Sequence, residues 1–115
     1  MDMARDPGAG QDALKQALDR MWIQFLPMML ERVAILESAG AAFADRQLPT
    51  EQREAAQGAA HKLAGALGTF GLAEGTTLAR EAEVLCASDG PQDADSATRL
   101  NEIAARIRSL IESRK

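Results

Sequence analysis

The sequence predicts an all-α protein, an antiparallel four-helix bundle with a short extra N-terminal helix. The chain has 115 residues, enough for one domain with a single core. Alanine and leucine dominate, tyrosine is absent and aromatic residues make up only 3%, a composition that favours helix over strand. Apolar residues recur at three- or four-residue steps through most of the chain, which is the spacing of amphipathic helices.

The N-terminal part is predicted to contain a flexible lead and a short helix. Residues 1–10 include proline and glycine and show little periodicity, so we expect a flexible lead there and a bundle domain over residues 11–115. Pro27 interrupts the helical pattern, because a proline inside a helix removes a hydrogen bond and clashes with the preceding turn. Either two helices meet just before Pro27 or one long helix is kinked. We favour a short first helix that runs with little break into a longer one ending around Ala44.

The third predicted helix follows a loop over residues 45–50. Thr50 is a suitable N-cap, and Glu51 lies in the first turn, where a negative charge interacts favourably with the helix dipole. The pattern continues to about residues 69–70. Gly71 is then expected to end the helix or turn the chain.

The last two predicted helices are separated by an obvious loop. The fourth helix covers about residues 73–87, and residues 87–95 form the loop, with an N-cap near Asp95 or Ser96. The last helix carries the cleanest apolar stripe of the chain: Leu100, Ile103, Ile107, Leu110 and Ile111. Substantial amphipathic helices with short connections are typical of an antiparallel bundle.

Composition also excludes several classes of function. A single cysteine, Cys86, rules out an internal disulfide framework and a cysteine-rich zinc site, and we expect it to be a buried structural thiol. The net charge of -4 argues against a nucleic-acid partner. No apolar run could span a membrane, and residues 1–10 lack the apolar centre of a signal peptide. Phosphate-binding loops and hydrolase motifs are absent as well, which argues against a nucleotide site or a hydrolase triad. We expect a cytoplasmic monomer without cofactor or metal.

The only histidine, His61, lies in the third predicted helix. At about 100° per residue, the apolar Leu63 and Leu67 fall about 200° and 240° away from it, so His61 is expected on the wet face. The other residues predicted on that face are Glu54, Gln57, Gly58, Ala64, Gly65 and Gly68. Gly65 and Gly68 each cost about 1 kcal/mol of helix propensity. The two glycines would leave the imidazole of His61 accessible as a nucleophile, which would explain why the sequence accepts this cost. The alternative interpretation is that His61 is a surface residue without a function.

The segment AHKLAGALGTFGL (residues 60–72), with Leu78 and the acidic run at residues 81–83, resembles the histidine-containing phosphotransfer (HPt) domain family. The resemblance covers most of the chain, from about Gln11 to the end. That family is built around four antiparallel helices, with an exposed phosphoacceptor histidine in mid-helix. Its pattern is H-x-L-K-G, with further glycines three and six residues after the first. The matching positions here are His61, Leu63, Gly65, Gly68 and Gly71.

The resemblance implies a phosphorelay role in two-component signal transduction. His61 would take a phosphoryl group from the aspartate of a receiver domain and pass it to a second receiver, with a (hybrid) histidine kinase as a further partner. The chain would be a phosphocarrier and not an enzyme. In-line positioning and charge stabilisation would come from the receiver's acidic pocket and its Mg²⁺. The glycine-rich face and the adjoining apolar residues would form the docking surface.

One departure from the family pattern concerns charge. Ala64 stands where the family usually has a lysine that is thought to offset the phosphoryl charge. Lys62 is the nearest cation in sequence, about 100° around the helix, and its long stem could bring the ammonium to the phosphoryl group. Gln57, one turn before His61, could hydrogen-bond the ring and orient it. The alternatives are an ordinary surface charge for Lys62 and a solvated side chain for Gln57.

Two other functions stay open at this point. The first is an interaction module that binds and regulates a receiver or kinase without carrying phosphate. The second is a haem or metal bundle with His61 and a methionine as ligands, against which the outward placement of His61 argues.

Several other side chains are given structural interpretations. Met21, Met28 and Met29 are interpreted as core filler, with a soft binding surface as the alternative. Trp22 and Phe25 are expected to pack the bundle, and Arg80 is interpreted as an exposed helix charge that could lean toward a docking partner.

Overall fold

The computed structural model describes residues 7–90 and 93–114, with side chains from Gly10 onward, and within these ranges it is helical with no strand. The four helices are α1 (Pro7–Ala44), α2 (Thr50–Thr69), α3 (Ala73–Leu85) and α4 (Ala94–Ser113). Each helix packs on the one before it, and α4 returns to α1, which closes the bundle. The predicted all-α four-helix fold is confirmed. No helix in the described part of the chain is long and apolar enough to cross a membrane.

The structure corrects the prediction of a short extra N-terminal helix, because α1 runs without interruption through Pro27. Pro27 cannot donate a hydrogen bond to the carbonyl oxygen of Ile23. Both residues lie on the exposed side of α1, Ile23 being 70% exposed, so water can bond to that carbonyl. Trp22 and Met29, on either side of the proline in the chain, are both buried in the core. Their packing holds the two halves of α1 in one helix.

The helix starts differ slightly from the predicted ones. α1 begins at Pro7, and a proline fits the first helical position because its missing N–H would have no partner there. Residues 7–10 of the predicted lead are therefore helical, whereas residues 1–6 of that lead lie outside the described residues.

The caps of α2 and α4 also shift. Pro49, and not Thr50, is the N-cap of α2, and no side chain caps that end. The N-cap of α4 is Asp93 and not Asp95 or Ser96, since its carboxylate accepts a hydrogen bond of 2.8 Å from the Ser96 N–H. Hydrogen bonds from the side chain and the backbone N–H of Ser96 lower the pKa of Asp93 below its usual value.

Gly71 turns the chain between α2 and α3, as predicted. Its φ is +77°, in the left-handed region that glycine adopts without steric cost. The N–H of Leu72 donates to the carbonyl oxygen of Leu67 at 2.9 Å, which is the long bond of a Schellman motif. Arg46, two residues after the end of α1, lies in the same left-handed region, at a φ of 58°.

The core runs along the centre of the bundle. Its largest fully buried side chains are Met29, Val33, Leu36, Leu63, Leu67, Cys86, Leu100, Ile103, Ile107 and Ile111. Leu110, which was placed on the same stripe of the last helix, is only half-buried. Cys86 is buried as predicted, and the loss of solvent raises the pKa of its thiol to about 11.

Three arginines of α4 form ion pairs on the bundle surface with glutamates of α1 and α3. The two-pronged pairs are Arg99–Glu81, Arg106–Glu74 and Arg108–Glu37. Hydrogen bonds from Arg108 at 2.7 Å hold the pKa of Glu37 below its usual value. All these pairs are partly or fully exposed, so they fix the positions of the helices more than they stabilise the fold.

One buried charge was not predicted. Arg53 of α2 is only 6% exposed, and its guanidinium donates to the carbonyl oxygen of Ala87 at 2.9 Å and of Leu85 at 3.4 Å. The same group lies 5.4 Å from the centre of the Phe43 ring. Arg53 therefore satisfies carbonyl groups at the C-terminal end of α3 and ties that end to α2.

Candidate functional site

His61 lies in the middle of α2 with its side chain 74% exposed. Leu63 and Leu67, which the helical geometry places on the far side of α2, are fully buried. The predicted exposure of the only histidine is therefore confirmed. The core holds α2 in place, and the imidazole is presented to solvent by a rigid element.

Glu83 of α3 is the partner of the imidazole. Its Oε2 lies 3.0 Å from Nδ1 of His61, within hydrogen-bond distance. An ionised carboxylate only accepts hydrogen bonds, so the contact selects the tautomer with its proton on Nδ1. Nε2 then carries the free lone pair, and it has no hydrogen-bond partner among the described residues. The contact therefore orients the ring and leaves one nitrogen with an available lone pair, which is what a nucleophilic imidazole requires.

The seam between α2 and α3 runs beside His61. Thr76 of α3 donates its hydroxyl proton to the carbonyl oxygen of Ala64 at 2.9 Å. Ala64 is only 6% exposed, so the prediction that it lies on the wet face is wrong. It stands at the edge of that face, and α3 covers it. Gly68 makes this close packing possible, since a Cβ there would lie 3.3 Å from the Thr76 hydroxyl oxygen.

Two other glycines leave space around His61. A Cβ added at Gly58 or at Gly65 would meet no atom within 4 Å, apart from the local helix backbone. Both residues are exposed. The surface near the histidine is therefore low and open, and a second protein could bring its backbone close to the ring.

Neither Lys62 nor Gln57 forms a hydrogen bond with the ring among the described residues. Lys62 lines a groove between α2 and α1 on the opposite flank from Ala64, and its neighbours there include Met28 and Glu31. Gln57 is half-buried and forms no hydrogen bond with the ring within the described ranges. The structure brings Glu83 to the imidazole where the sequence had suggested Gln57.

An exposed apolar strip on α1 borders this surface. Met21, Phe25 and Met28 are 37%, 37% and 40% exposed, so the core-filler interpretation is confirmed only for Met29, which is fully buried. Phe25 packs on Phe70 with a ring-centre distance of 6.4 Å, yet much of its ring stays in solvent. A solvent-facing strip of methionine and phenylalanine beside an accessible histidine is the kind of patch that marks a protein contact.

The chemistry of the site is that of one imidazole. Among residues 7–90 and 93–114, no group of three or more histidine, cysteine or acidic side chains could hold a metal ion. The lone pair on Nε2 of His61 can attack an electrophile that another molecule presents, with Glu83 holding the opposite side of the ring.

Comparisons with known proteins identify a family that this chain matches. The family model described as "Hpt domain" matches residues 20–113. Protein RcaC of Microchaete diplosiphon is 35% identical over 77 residues, which make up 67% of this chain and 12% of that protein. The chain thus spans only about an eighth of the length of this relative. No solved structure gives a significant match.

Proposed function

Because the chain belongs to the Hpt domain family, we propose that it is a phosphocarrier in which His61 accepts the phosphoryl group of a receiver-domain aspartate. The group then passes to the aspartate of a second receiver. Histidine phosphotransfer in two-component signalling is the role of this family, and its members carry phosphoryl groups without being enzymes. The observation that carries the assignment to His61 is its contact with Glu83 on an otherwise open surface.

The contact between Glu83 and Nδ1 of His61 indicates how the phosphoryl group would be transferred. The Nε2 lone pair attacks phosphorus, the P–O bond to the aspartate breaks, and the carboxylate leaves with the electron pair. The ring retains its Nδ1 proton and becomes positively charged as the N–P bond forms. The carboxylate of Glu83, 3.0 Å from Nδ1, offsets this charge. Transfer to the second receiver reverses the same step.

The receiver supplies what this chain lacks. We propose that its acidic pocket and Mg²⁺ align the phosphoryl group and neutralise its oxygens. The docking surface consists of the open face around Gly65 and the strip formed by Met21, Phe25 and Met28. Such a contact needs no enclosed pocket in the carrier.

Four supporting residues belong to the proposal. Gly65 leaves room for the receiver's backbone, and Gly68 lets α3 approach closely enough to place Glu83. Gln57 is proposed as a contact of the docked receiver. Lys62 is one candidate for the cation that faces the phosphoryl group.

Phosphoryl transfer from a purified, phosphorylated receiver domain tests the proposal. Wild-type protein should acquire an acid-labile, base-stable label, and His61→Ala should acquire none. Gln52→Ala, which changes a polar residue of the same helix outside the proposed docking surface, is the matched control and should still be labelled. Label that persists in His61→Ala would refute His61 as the acceptor.

The same experiment separates a carrier from a pure binding module. Receiver binding without any transfer, unchanged in His61→Ala, would favour a module that regulates its partner without carrying phosphate. We also propose that the protein is a monomer and acts in the cytoplasm. Light scattering after size-exclusion chromatography and fractionation of the source cells test these two points.

A further inference from the structure

Ala64 stands where the resemblance implies a lysine, so the positive charge of that lysine is missing from the seam between α2 and α3. Ala64 lies at the α3 side of His61, where its carbonyl oxygen accepts the hydroxyl proton of Thr76. A lysine at this position would emerge from the seam between α2 and α3. A cation that replaces it must reach the imidazole from the same seam.

Arg80 of α3 emerges from the other wall of that seam. Thr76 and Glu83 both contact α2, at Ala64 and His61 respectively, so the face of α3 that carries them is turned toward α2. Arg80 lies four residues after Thr76 and three before Glu83, which places it on the same face within about 60° of each. Three residues separate Arg80 from Glu83, so the two are roughly 5 Å apart along the axis of α3.

The state of the Arg80 side chain fits such a role. It is exposed, and no ion pair or hydrogen bond engages its guanidinium among residues 7–90 and 93–114. By contrast, the α4 arginines Arg99, Arg106 and Arg108 are all held by glutamates. Arg80 therefore retains its full donor capacity for an anion brought to its side of the bundle.

We propose that Arg80 binds the phosphoryl group on His61 and supplies the positive charge that the family takes from a lysine at the position of Ala64. The inference rests on the proposed function of His61. A planar guanidinium on a long stem can donate two hydrogen bonds to phosphoryl oxygens while Glu83 keeps Nδ1. The phosphoryl group then lies between the Arg80 guanidinium and the imidazole ring, whose positive charge is balanced by the Glu83 carboxylate.

Lys62 is the competing cation. Its side chain lines the groove toward α1, whose lining includes Glu31, on the flank away from Ala64. Glu54 lies two turns before His61 on the same face of α2, and the Glu83 carboxylate lies at the α3 side of the ring. Arg80 is the exposed arginine of that side.

Titration of the phosphorylated protein separates the two cations. Phosphoramidate serves as the donor: its P–N bond breaks, ammonia leaves and the Nε2–P bond forms, so no receiver is needed. ³¹P NMR then follows the protonation of the phosphoryl oxygens with pH. A nearby cation favours the dianion, so Arg80→Ala should raise the midpoint by about 0.2 to 0.7 of a pH unit, the range expected of an exposed ion pair. Arg80→Lys should restore most of the effect, and 1 M salt should remove it.

Each outcome is decisive. If the pH midpoint of phosphoryl protonation shifts in Lys62→Ala but not in Arg80→Ala, the proposal for Arg80 is wrong. The proposal that His61 is the phosphoacceptor is not affected by that result. A midpoint that moves in neither variant would overturn the proposal for Arg80 as well. Wild-type protein that takes no label at His61, with His61→Ala as reference, would overturn the proposed function and this inference together. Circular dichroism of each variant shows that the fold is unchanged.

Discussion

Nδ1 of His61 lies 3.0 Å from Oε2 of Glu83, which is 22 residues further along the chain on the neighbouring helix. The imidazole side chain is 74% exposed and the carboxylate side chain only 31%. The glutamate is thus the more fixed of the two groups, and it orients the ring. The contact decides which ring nitrogen has the lone pair.

We predict that Glu83 sets the tautomer of His61. Glu83→Ala and Glu83→Gln remove the same negative charge, but only the glutamine keeps an oxygen that accepts the Nδ1 proton. Labelling by phosphoramidate should therefore be about two- to tenfold slower in Glu83→Ala than in Glu83→Gln, as expected for the loss of one hydrogen bond. ¹⁵N NMR of the ring should show more of the Nε2–H tautomer in Glu83→Ala. Equal rates and equal tautomer populations in the two variants would contradict the prediction.

The pairing of His61 with Glu83 could not be predicted from the sequence, whereas the exposure of His61 could. The exposure of His61 followed from helical periodicity, because the positions of apolar residues fix which face of a helix is buried. Its partner depends on the rotation of α3 relative to α2, which the packing of Thr76 against Ala64 and Gly68 determines. No pattern within one helix contains that information. Gln57 was chosen because it lies one turn away on the same helix.

The same distinction applies to the fold. Helix type and the approximate bounds of α2, α3 and α4 were predictable, since apolar spacing and loop composition are local signals. The continuity of α1 was not, because the cost of Pro27 is offset by tertiary packing of residues such as Trp22 and Met29. The buried Arg53 was also missed, because its acceptors lie on another helix.

A pair of glycine substitutions should have opposite effects on stability. Gly65→Ala adds a methyl group in open space within α2, so it should stabilise the fold by about 0.5–1 kcal/mol through helix propensity. Gly40→Ala should destabilise it by about 1–3 kcal/mol, because the new methyl group would collide with the amide of Asn101. That amide donates to the Gly40 carbonyl oxygen at 3.1 Å and joins α4 to α1. Urea unfolding measures both effects, and changes of the same sign would refute the packing described at one of the two sites.

Loss of Arg53 should weaken the junction between α2 and α3. Arg53→Ala removes a charged donor from buried carbonyl groups of Leu85 and Ala87, at an expected cost of about 2–3 kcal/mol. Arg53→Lys should recover less than half, since an ammonium lacks the planar fork and stacks less well on Phe43. Thermal and urea unfolding provide the measurement. Arg46→Ala, an exposed arginine of the neighbouring loop, is the control and should lose less than half as much as Arg53→Ala.

Cys86 should make the fold less stable at alkaline pH. Burial raises the pKa of its thiol to about 11 in the folded protein, against 9.0 for an ordinary cysteine. Between these values the unfolded chain releases a proton that the folded chain keeps, so stability is complete below about pH 9 and falls by about 2–3 kcal/mol as the pH rises to about 11. The chain has no tyrosine, which leaves few other groups to titrate there. Urea unfolding at pH 8, 9.5 and 11 should show this decline in the wild type and a much flatter profile in Cys86→Ala, whereas parallel profiles would show that the thiol is not the cause.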